Sequence, residues 1–391
     1  MPSELAGGQD SQLRSRIKSI DAMRGLVMLI MLVDHVRERF FLHRQVSDPM
    51  DINATEPALF WSRMAAHLCA PTFVFLTGLS AWLYANPAAG QRSAAGFLAK
   101  RGLFILALEV TLVTFSWLGS YHTVYLQVMW AIGISMLALA LLCRLPAHWL
   151  LVIGLVIVFG HNALTPVQFD HSEWGYSLWT MLHDRGYLLQ SEWLNIKVSY
   201  PVLPWIGVIL LGYCAGPLYA QSMSATRRQR WLLALAIGSL VLLLLLRGFN
   251  LYGETLDWQL QASAWLTLMD FLNFTKYPPS LNFLLLALGC MGLILWGLER
   301  VQGRLASRVE RLLVSFGSAP LFFYLLHLYC LLLMYSIGVA VWGRNHGDYL
   351  GVDHIGWVWL LSAVLALALY GPTRWFGQFK QATRLKWVKY L

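Results

Sequence analysis

The sequence predicts an all-α, polytopic integral membrane protein with about ten transmembrane helices, and three observations carry that prediction. Of the 391 residues, 58% are apolar and 13% are charged, and the mean hydropathy is +0.56. A soluble globular chain carries about 45–50% apolar and ~25% charged residues. The excess is gathered into runs: residues 231–246 (WLLALAIGSLVLLLLL) and 281–298 hold no charge, and each approaches the ~20 residues that cross a hydrocarbon core. The charges between the runs alternate between two sides, with a strong basic bias on one. A soluble enzyme, a disordered chain and a collagen-like fibre are excluded.

Taken in order, the apolar runs mark helices near 20–38, 64–86, 102–120, 123–143, 148–163, 201–220, 231–247, 281–298, 316–342 and 355–371. They are read as helices because lipid cannot satisfy open backbone groups, and no alternating pattern of barrel strands occurs. Residues 1–17 are polar, without the apolar core of a cleavable signal peptide. They are expected as a cytoplasmic tail, followed by one transmembrane domain over 18–375 and a basic cytoplasmic tail over 376–391. The run at 316–342 is interrupted at Gly317–Ser318–Ala319–Pro320. The long connections 164–199 and 248–280 are rich in Trp, Tyr, Asn and Asp, which suits ordered loops at the membrane interface.

Net charge is +9. In a soluble protein this suggests nucleic acid; here its layout assigns it to topology instead. Twenty of the 29 basic residues fall on one side, among them Arg14, Arg16, Lys18, Arg24, Lys100, Arg101, Arg144, Arg227, Arg300 and Arg374. Only Glu4, Asp10, Asp21, Glu299 and Glu310 share that side. The basic side is the cytoplasmic one, so both termini are expected there, with an even number of spans. The five cysteines lie in five different apolar segments with no CxxC spacing, and read as small core residues rather than ligands or disulfides. No metal set with sensible spacing emerges.

Polar residues inside spans are costly in lipid and therefore informative. In the first span, Arg24, Met28, Met31 and His35 follow a helical +4, +3, +4 stripe. Arg24 and His35 then share one face, roughly 16 Å apart, with room for an anionic ligand at one end and a base at the other. The alternative is an Asp21–Arg24 topology anchor with His35 ending the helix. Asp34 is turned about 100° from His35 and is expected to pair with Arg37 or reach a neighbouring helix. His67, His161, Asn162 and Lys276 are expected at the same outer level, with Tyr277 beside Lys276 and Pro278–Pro279 fixing the loop backbone. Their convergence favours a polar cavity opening outward. Trp205 is a candidate for stacking on a sugar. His327 and Glu109 lie in spans, and each reads either as cavity lining or as a satisfied structural residue. Walker, GxGxxG, HExxH and GxSxG motifs are absent.

Four stretches, RIKSIDAMRGLVMLIMLVDHVRERFF, HLCAPTFVFLTG, YPVLPWIGVILLGYCAG and TKYPPSLNFLLLALG, resemble in order the bacterial heparan-alpha-glucosaminide N-acetyltransferase-like family of transmembrane acyltransferases. Asp21, Arg24 and Gly25 match the D-x-x-R-G that opens the first helix of the wider membrane acyltransferase group, and His35 falls at the position of its functional histidine. The chain departs from the lysosomal sugar N-acetyltransferase, which has an asparagine where Asp34 stands and a catalytic histidine in the following loop. This leaves His35, His43 and His67 as alternatives for the acting histidine.

The resemblance implies transfer of an acetyl group from cytoplasmic acetyl-CoA, as co-substrate, to a sugar or amino sugar at the periplasmic face of a bacterial inner membrane. Arg24, Lys100 and Arg101 are then the candidates for CoA phosphates, which suit the planar guanidinium fork. His35 is the candidate general base, with Asp34 or His67 orienting it. Lys276, Tyr277, Trp205, His161 and Asn162 are candidates for the acceptor side. The expected partners are acetyl-CoA, the sugar acceptor and the bilayer, with no nucleic acid and no metal; a homo-oligomer is left open. The competing reading is a solute transporter using the same groups as a proton relay.

Overall fold

The computed structural model describes residues 17–87, 90–301, 307–385 and 388. The expected tail over 1–17, apart from Ile17, and residues 386, 387 and 389–391 of the expected C-terminal tail lie outside the described residues. So do Glu4, Asp10, Arg14, Arg16, Arg304, Lys386 and Lys389 of the charge layout.

The described chain is mostly helical: α1 (Lys18–Phe40), α2 (Pro57–Ala66), α3 (Cys69–Ala85), α4 (Ala95–Leu108), α5 (Thr114–Leu118), α6 (Val128–Leu142), α7 (Ala147–Gly160), α8 (Tyr176–Leu182), α9 (Leu203–Cys214), α10 (Ala225–Gly248), α11 (Ala264–Phe271), α12 (Leu281–Val301), α13 (Ser307–Ser318), α14 (Pro320–Trp342) and α15 (Ile355–Ala382). α1 packs against α3, α12, α13, α14 and α15. A second group forms through α3 on α9, α7 on α9 and α4 on α6, while α10 lies along α12.

Several boundaries differ from the sequence reading, each for a local reason. The span expected at 64–86 begins at Pro57 and breaks at His67–Leu68. Pro71 follows four residues after His67, so its ring displaces the carbonyl that a continuous helix would use there. The span at 102–120 starts at Ala95, makes a π-turn over Glu109–Val113 and ends at Gly119 in the left-handed region. Residues 123–126 do not extend α6. They form β1 (Thr123–Leu126), parallel to β3 (Asn195–Val198), which pairs antiparallel with β2 (Gly186–Gln190) in the order β1-β3-β2. The all-α expectation is corrected by this small sheet, which draws on the β-branched and aromatic residues of TVYL and NIKV.

The run at 316–342 divides into α13 and α14 at Ala319, with Pro320 opening the second helix. α13 escaped notice because Arg308, Glu310 and Arg311 alternate with Leu312, Leu313 and Phe316; it is amphipathic, and lies along α1. α15 passes Pro372 and continues to Ala382, beyond the expected start of the tail at 376.

Among the described residues, seven helical segments are long and apolar enough to cross a membrane: 57–85, 95–118, 147–164, 225–248, 281–301, 320–342 and 355–382. α6 and the segment 203–219 are apolar but shorter. α1 has the length but carries Asp34, Arg37, Glu38 and Arg39 in its last two turns. The expected count of about ten is therefore not reached on length and apolarity alone.

Close helix crossings rest on glycine. A Cβ built on Gly25 stands 1.9 Å from the Leu313 carbonyl oxygen, and one on Gly317 stands 1.8 Å from that of Asp21. These two contacts lock α13 onto the start of α1. Gly78 and Gly212 do the same for α3 and α9, at 2.1 Å from the carbonyl oxygens of Ile209 and Phe75. Small residues are what allow such approaches between membrane helices. Gly25→Ala is expected to lower the melting temperature in detergent by several degrees, an overpacking penalty of about 1–3 kcal/mol. Gly238→Ala, in α10 with no atom within 4 Å of the added carbon, is expected to leave it unchanged or slightly raised. Equal melting temperatures for wild type and Gly25→Ala would refute the crossing.

Candidate active site

The C-terminal half of α1 presents two chemistries on two faces. On one, Asp34 accepts from Arg37 Nε and Nη2, both at 3.0 Å, and Arg37 also reaches Glu38. This is the i+3 pairing the sequence suggested. The Asp34 carboxylate further interacts electrostatically with Lys276, Arg63 and His35. On the other face, His35 meets α14: its Nδ1 lies 2.7 Å from Nε2 of His327, and their rings stack at 5.0 Å between centroids. Trp117 and Tyr324 meet the His35 ring edge-on at 5.3 and 5.7 Å.

Arg39 fixes the remaining neighbour. It is buried and donates to the carbonyls of Ser116 (2.7 Å) and Trp117 (2.8 Å), the last residues of the helical segment 95–118. A cation at a helix C-terminus satisfies both the orphan carbonyls and the macrodipole. The π-turn upstream directs Glu109 inward, where Oε1 accepts from the Gln127 amide at 2.5 Å and so holds the N-terminus of α6. Tyr329 of α14 donates to the Leu112 carbonyl of the same turn at 3.0 Å.

Lys276 and Tyr277 are delivered by a loop clamped from both sides. Asp48 accepts from the backbone N–H groups of Lys276 (3.2 Å) and Tyr277 (2.9 Å), and pairs with Arg63 at 3.7 Å. Glu254 accepts from the Thr275 amide (3.0 Å), the Thr275 hydroxyl and the Ser280 hydroxyl (2.7 Å). Lys276 is buried, its ammonium 5.2 Å from the Tyr277 ring centroid. Burial works against that charge, but Tyr277 and Asp34 outweigh it and raise the Lys276 pKa, so the group stays an ammonium at neutral pH. Burial pushes the Glu254 carboxyl the other way, above the usual carboxylate range, against the pull of its four hydrogen bonds. Tyr277 donates to the Tyr200 hydroxyl at 3.1 Å, and Tyr200 lies 5.8 Å from the fully buried ring of Trp205, whose Nε1 has no hydrogen-bond partner among the described residues.

His35, Asp34, His67, Lys276 and Tyr277 are thus brought together. His67 sits at the α2–α3 break, buried against Phe283, with neither ring nitrogen hydrogen-bonded among the described residues and Lys276, Arg63 and Asp34 as its charged neighbours. His43 is elsewhere, stacked at 3.8 Å on His346 beyond the end of α1; burial and then His346 push its pKa down. Asn162 accepts from the Leu281 amide at 2.8 Å and begins α12. It lines a separate polar cavity of about 210 Å³ with Arg247, Glu254 and Asn282. His161 is buried beside it, its carbonyl accepting from His183 Nε2 at 3.0 Å.

At the opposite end of α1, Arg24 bridges to α3: it contacts Asp21 at 3.3 Å, the Leu76 carbonyl at 3.5 Å and the Ser80 hydroxyl. Lys100 is exposed and Arg101 half-buried on α4, with the Arg101 guanidinium 6.0 Å from the Phe97 ring.

With this geometry in place, the comparison with known families is specific. The family model described as heparan-alpha-glucosaminide N-acetyltransferase, catalytic, matches residues 16–247. That is more than half of the chain, and the protein belongs to this family of N-acetyltransferases. The match takes in Arg24, Asp34, His35, His67, Lys100, Arg101, His161, Asn162 and Trp205, and stops short of Lys276, Tyr277 and His327. A search among curated proteins finds no match.

Sequence reasoning missed Asp48, Glu254, Tyr200 and Trp117. The two carboxylates act on backbone N–H groups of a distant loop, which leaves no side-chain pattern to read. Asp48→Ala is expected to leave the Lys276 and Tyr277 amides unsatisfied, costing about 1–3 kcal/mol and speeding their hydrogen exchange at least tenfold. Unaltered exchange at both amides would show that the clamp does not hold the loop.

Proposed function

We propose that the protein transfers an acetyl group from acetyl-CoA, bound from the cytoplasmic side, to an amino-sugar or sugar acceptor at the opposite face, with His35 as general base. The observation that carries this reading is the position of His35 within the family-matched region: one ring nitrogen is engaged by His327, while Nε2 makes no hydrogen bond among the described residues. An amine or hydroxyl of the acceptor attacks the thioester carbonyl carbon. Its proton passes to His35 Nε2, the carbon–sulfur bond breaks, and the CoA thiolate leaves to be protonated. Base catalysis of this kind contributes about 10²–10⁴-fold.

Asp34 and Lys276 lie within electrostatic reach of His35 and supply fixed charges of both signs, and His67 is a further polar group among the same charged neighbours. Lys276 and Tyr277, with Trp205 beyond Tyr200, form the acceptor side, while Asn162, with His161 beside it, belongs to the separate cavity next to Glu254. Arg24, Lys100 and Arg101 serve the CoA phosphates, for which charge-assisted bonds from guanidinium and ammonium donors are suited. In the membrane layout that accompanies this reading, α1, α6 and 203–219 cross together with the seven long apolar segments, and both termini lie in the cytoplasm of a cell whose inner membrane holds the protein. The basic bias of the loops supports it.

The test is acetylation itself. Purified protein with labelled acetyl-CoA and a panel of amino sugars is expected to yield acetylated product. His35→Ala is expected to keep its fold and acetyl-CoA affinity while turnover falls at least 10²-fold. Uptake of intact sugar into proteoliposomes without any need for acetyl-CoA would favour a transporter and overturn the proposal. A folded His35→Ala protein with normal turnover, beside an inactive His67→Ala or His43→Ala protein, would move the base but keep the reaction.

A further inference from the structure

We infer that His327 is a positioning residue: it holds His35 in the Nδ1–H tautomer, leaving the Nε2 lone pair free to take the acceptor's proton. This deepens the reading of His35 as base and rests on it. His327 lies outside the region matched by the family model, more than 290 positions from His35 in the chain, and the two meet only because α14 packs on α1.

The argument runs along one line of hydrogen bonds. Nδ1 of His327 is 2.7 Å from the carbonyl oxygen of Phe323, one helical turn back on α14. A carbonyl oxygen only accepts, so Nδ1 of His327 must carry the proton. The ring is fully buried between Phe323 and Tyr324, with centroids at 5.1 and 5.7 Å, surroundings that disfavour a charged imidazole. A neutral ring protonated on Nδ1 has a bare Nε2, which can only accept. The 2.7 Å contact to His35 is therefore donated by His35 Nδ1–H. His35 in turn has its lone pair on Nε2. The backbone carbonyl of Phe323 thus sets the proton position two rings away, as a carboxylate does for the histidine of a hydrolase triad.

A leucine at position 327 would fill the same space without fixing the proton, and neutral imidazole in water favours the opposite tautomer, with the proton on Nε2. Trp117 and Tyr324 keep the His35 ring from turning over, since each meets it edge-on. The hydrogen bond fixes which nitrogen is protonated, while the aromatic contacts fix where that nitrogen points.

Two variants and two readouts test the inference. His327→Leu removes the acceptor; His327→Gln retains an amide oxygen for His35 and an N–H for the Phe323 carbonyl. With acetyl-CoA and the acceptor found active for wild type, His327→Leu is expected to lower kcat about tenfold or more with KM for acetyl-CoA unchanged, and His327→Gln to recover most of it. The double variant with His35→Ala is expected to be no slower than His35→Ala alone, because His327 acts through His35. Independently of turnover, the imidazole nitrogen spectrum of ¹⁵N-histidine-labelled protein, with His35 assigned by difference from His35→Ala, is expected to show Nδ1–H in wild type and His327→Gln, and Nε2–H in His327→Leu. An Nε2–H tautomer of His35 in wild type would overturn the inference, as would a folded His327→Leu protein with wild-type kcat, or equal losses in the leucine and glutamine variants. If His35→Ala is fully active while the tautomer is Nδ1–H as expected, the positioning stands and the assignment of the base falls.

Discussion

The structure depends on one constraint: the last two turns of α1 carry Asp34, His35, Arg37, Glu38 and Arg39, and none of these can face hydrocarbon without a partner. Each solves the problem by binding something distant in sequence or adjacent on the helix. Arg39 takes the terminal carbonyls of 95–118, His35 takes His327 of α14, and Asp34 takes Arg37 with Lys276 and Arg63 nearby. The bonds of Arg39 and Asp34 are charge-assisted and contribute about 1.5–3 kcal/mol each, and a buried partner left alone is costlier still. The helices are therefore gathered around α1 by its polar end at one extreme and by the glycine contacts with α13 at the other.

The D-x-x-R-G segment forms the second of these extremes. Gly25 is needed for packing, since Leu313 and Gly317 lie against it and Asp21 without room for a side chain. Arg24 ties α1 to α3 through Ser80, with 21% of its side chain exposed. One turn of helix thus fixes α1 to both α13 and α3, about three turns from His35. At the histidine end the Lys276 loop is rigid because its backbone amides are claimed by Asp48 and Glu254, so an ammonium is buried beside a carboxylate without a helix to carry it.

Much of α1 was legible in the sequence because a single helix obeys its own period: the Arg24–His35 stripe and the Asp34–Arg37 pair need only 3.6 residues per turn. The meeting of His35 with His327 was not, because it is decided by how α14 packs on α1, and that depends on the break at Ala319 and on α13. The amphipathic α13 was hidden by its arginines, and β1 by its apolar character, since a short apolar run reads equally as helix or strand. Asn162 drew attention as a polar residue at the outer level, yet its position is set by the start of α12, whose Leu281 amide it caps.

In the proposed function, α1 connects a donor at its Arg24 end to an acceptor at its His35 end, across the membrane. Sided transfer measures this most directly. Protein is reconstituted in sealed vesicles in one orientation, labelled acetyl-CoA is supplied only on the side of the Arg24 end, and an impermeant amino sugar only on the side of the His35 end. Acetylated sugar is expected on the His35 side, and none when the two substrates are exchanged. Product that forms only when both substrates share one side would contradict it.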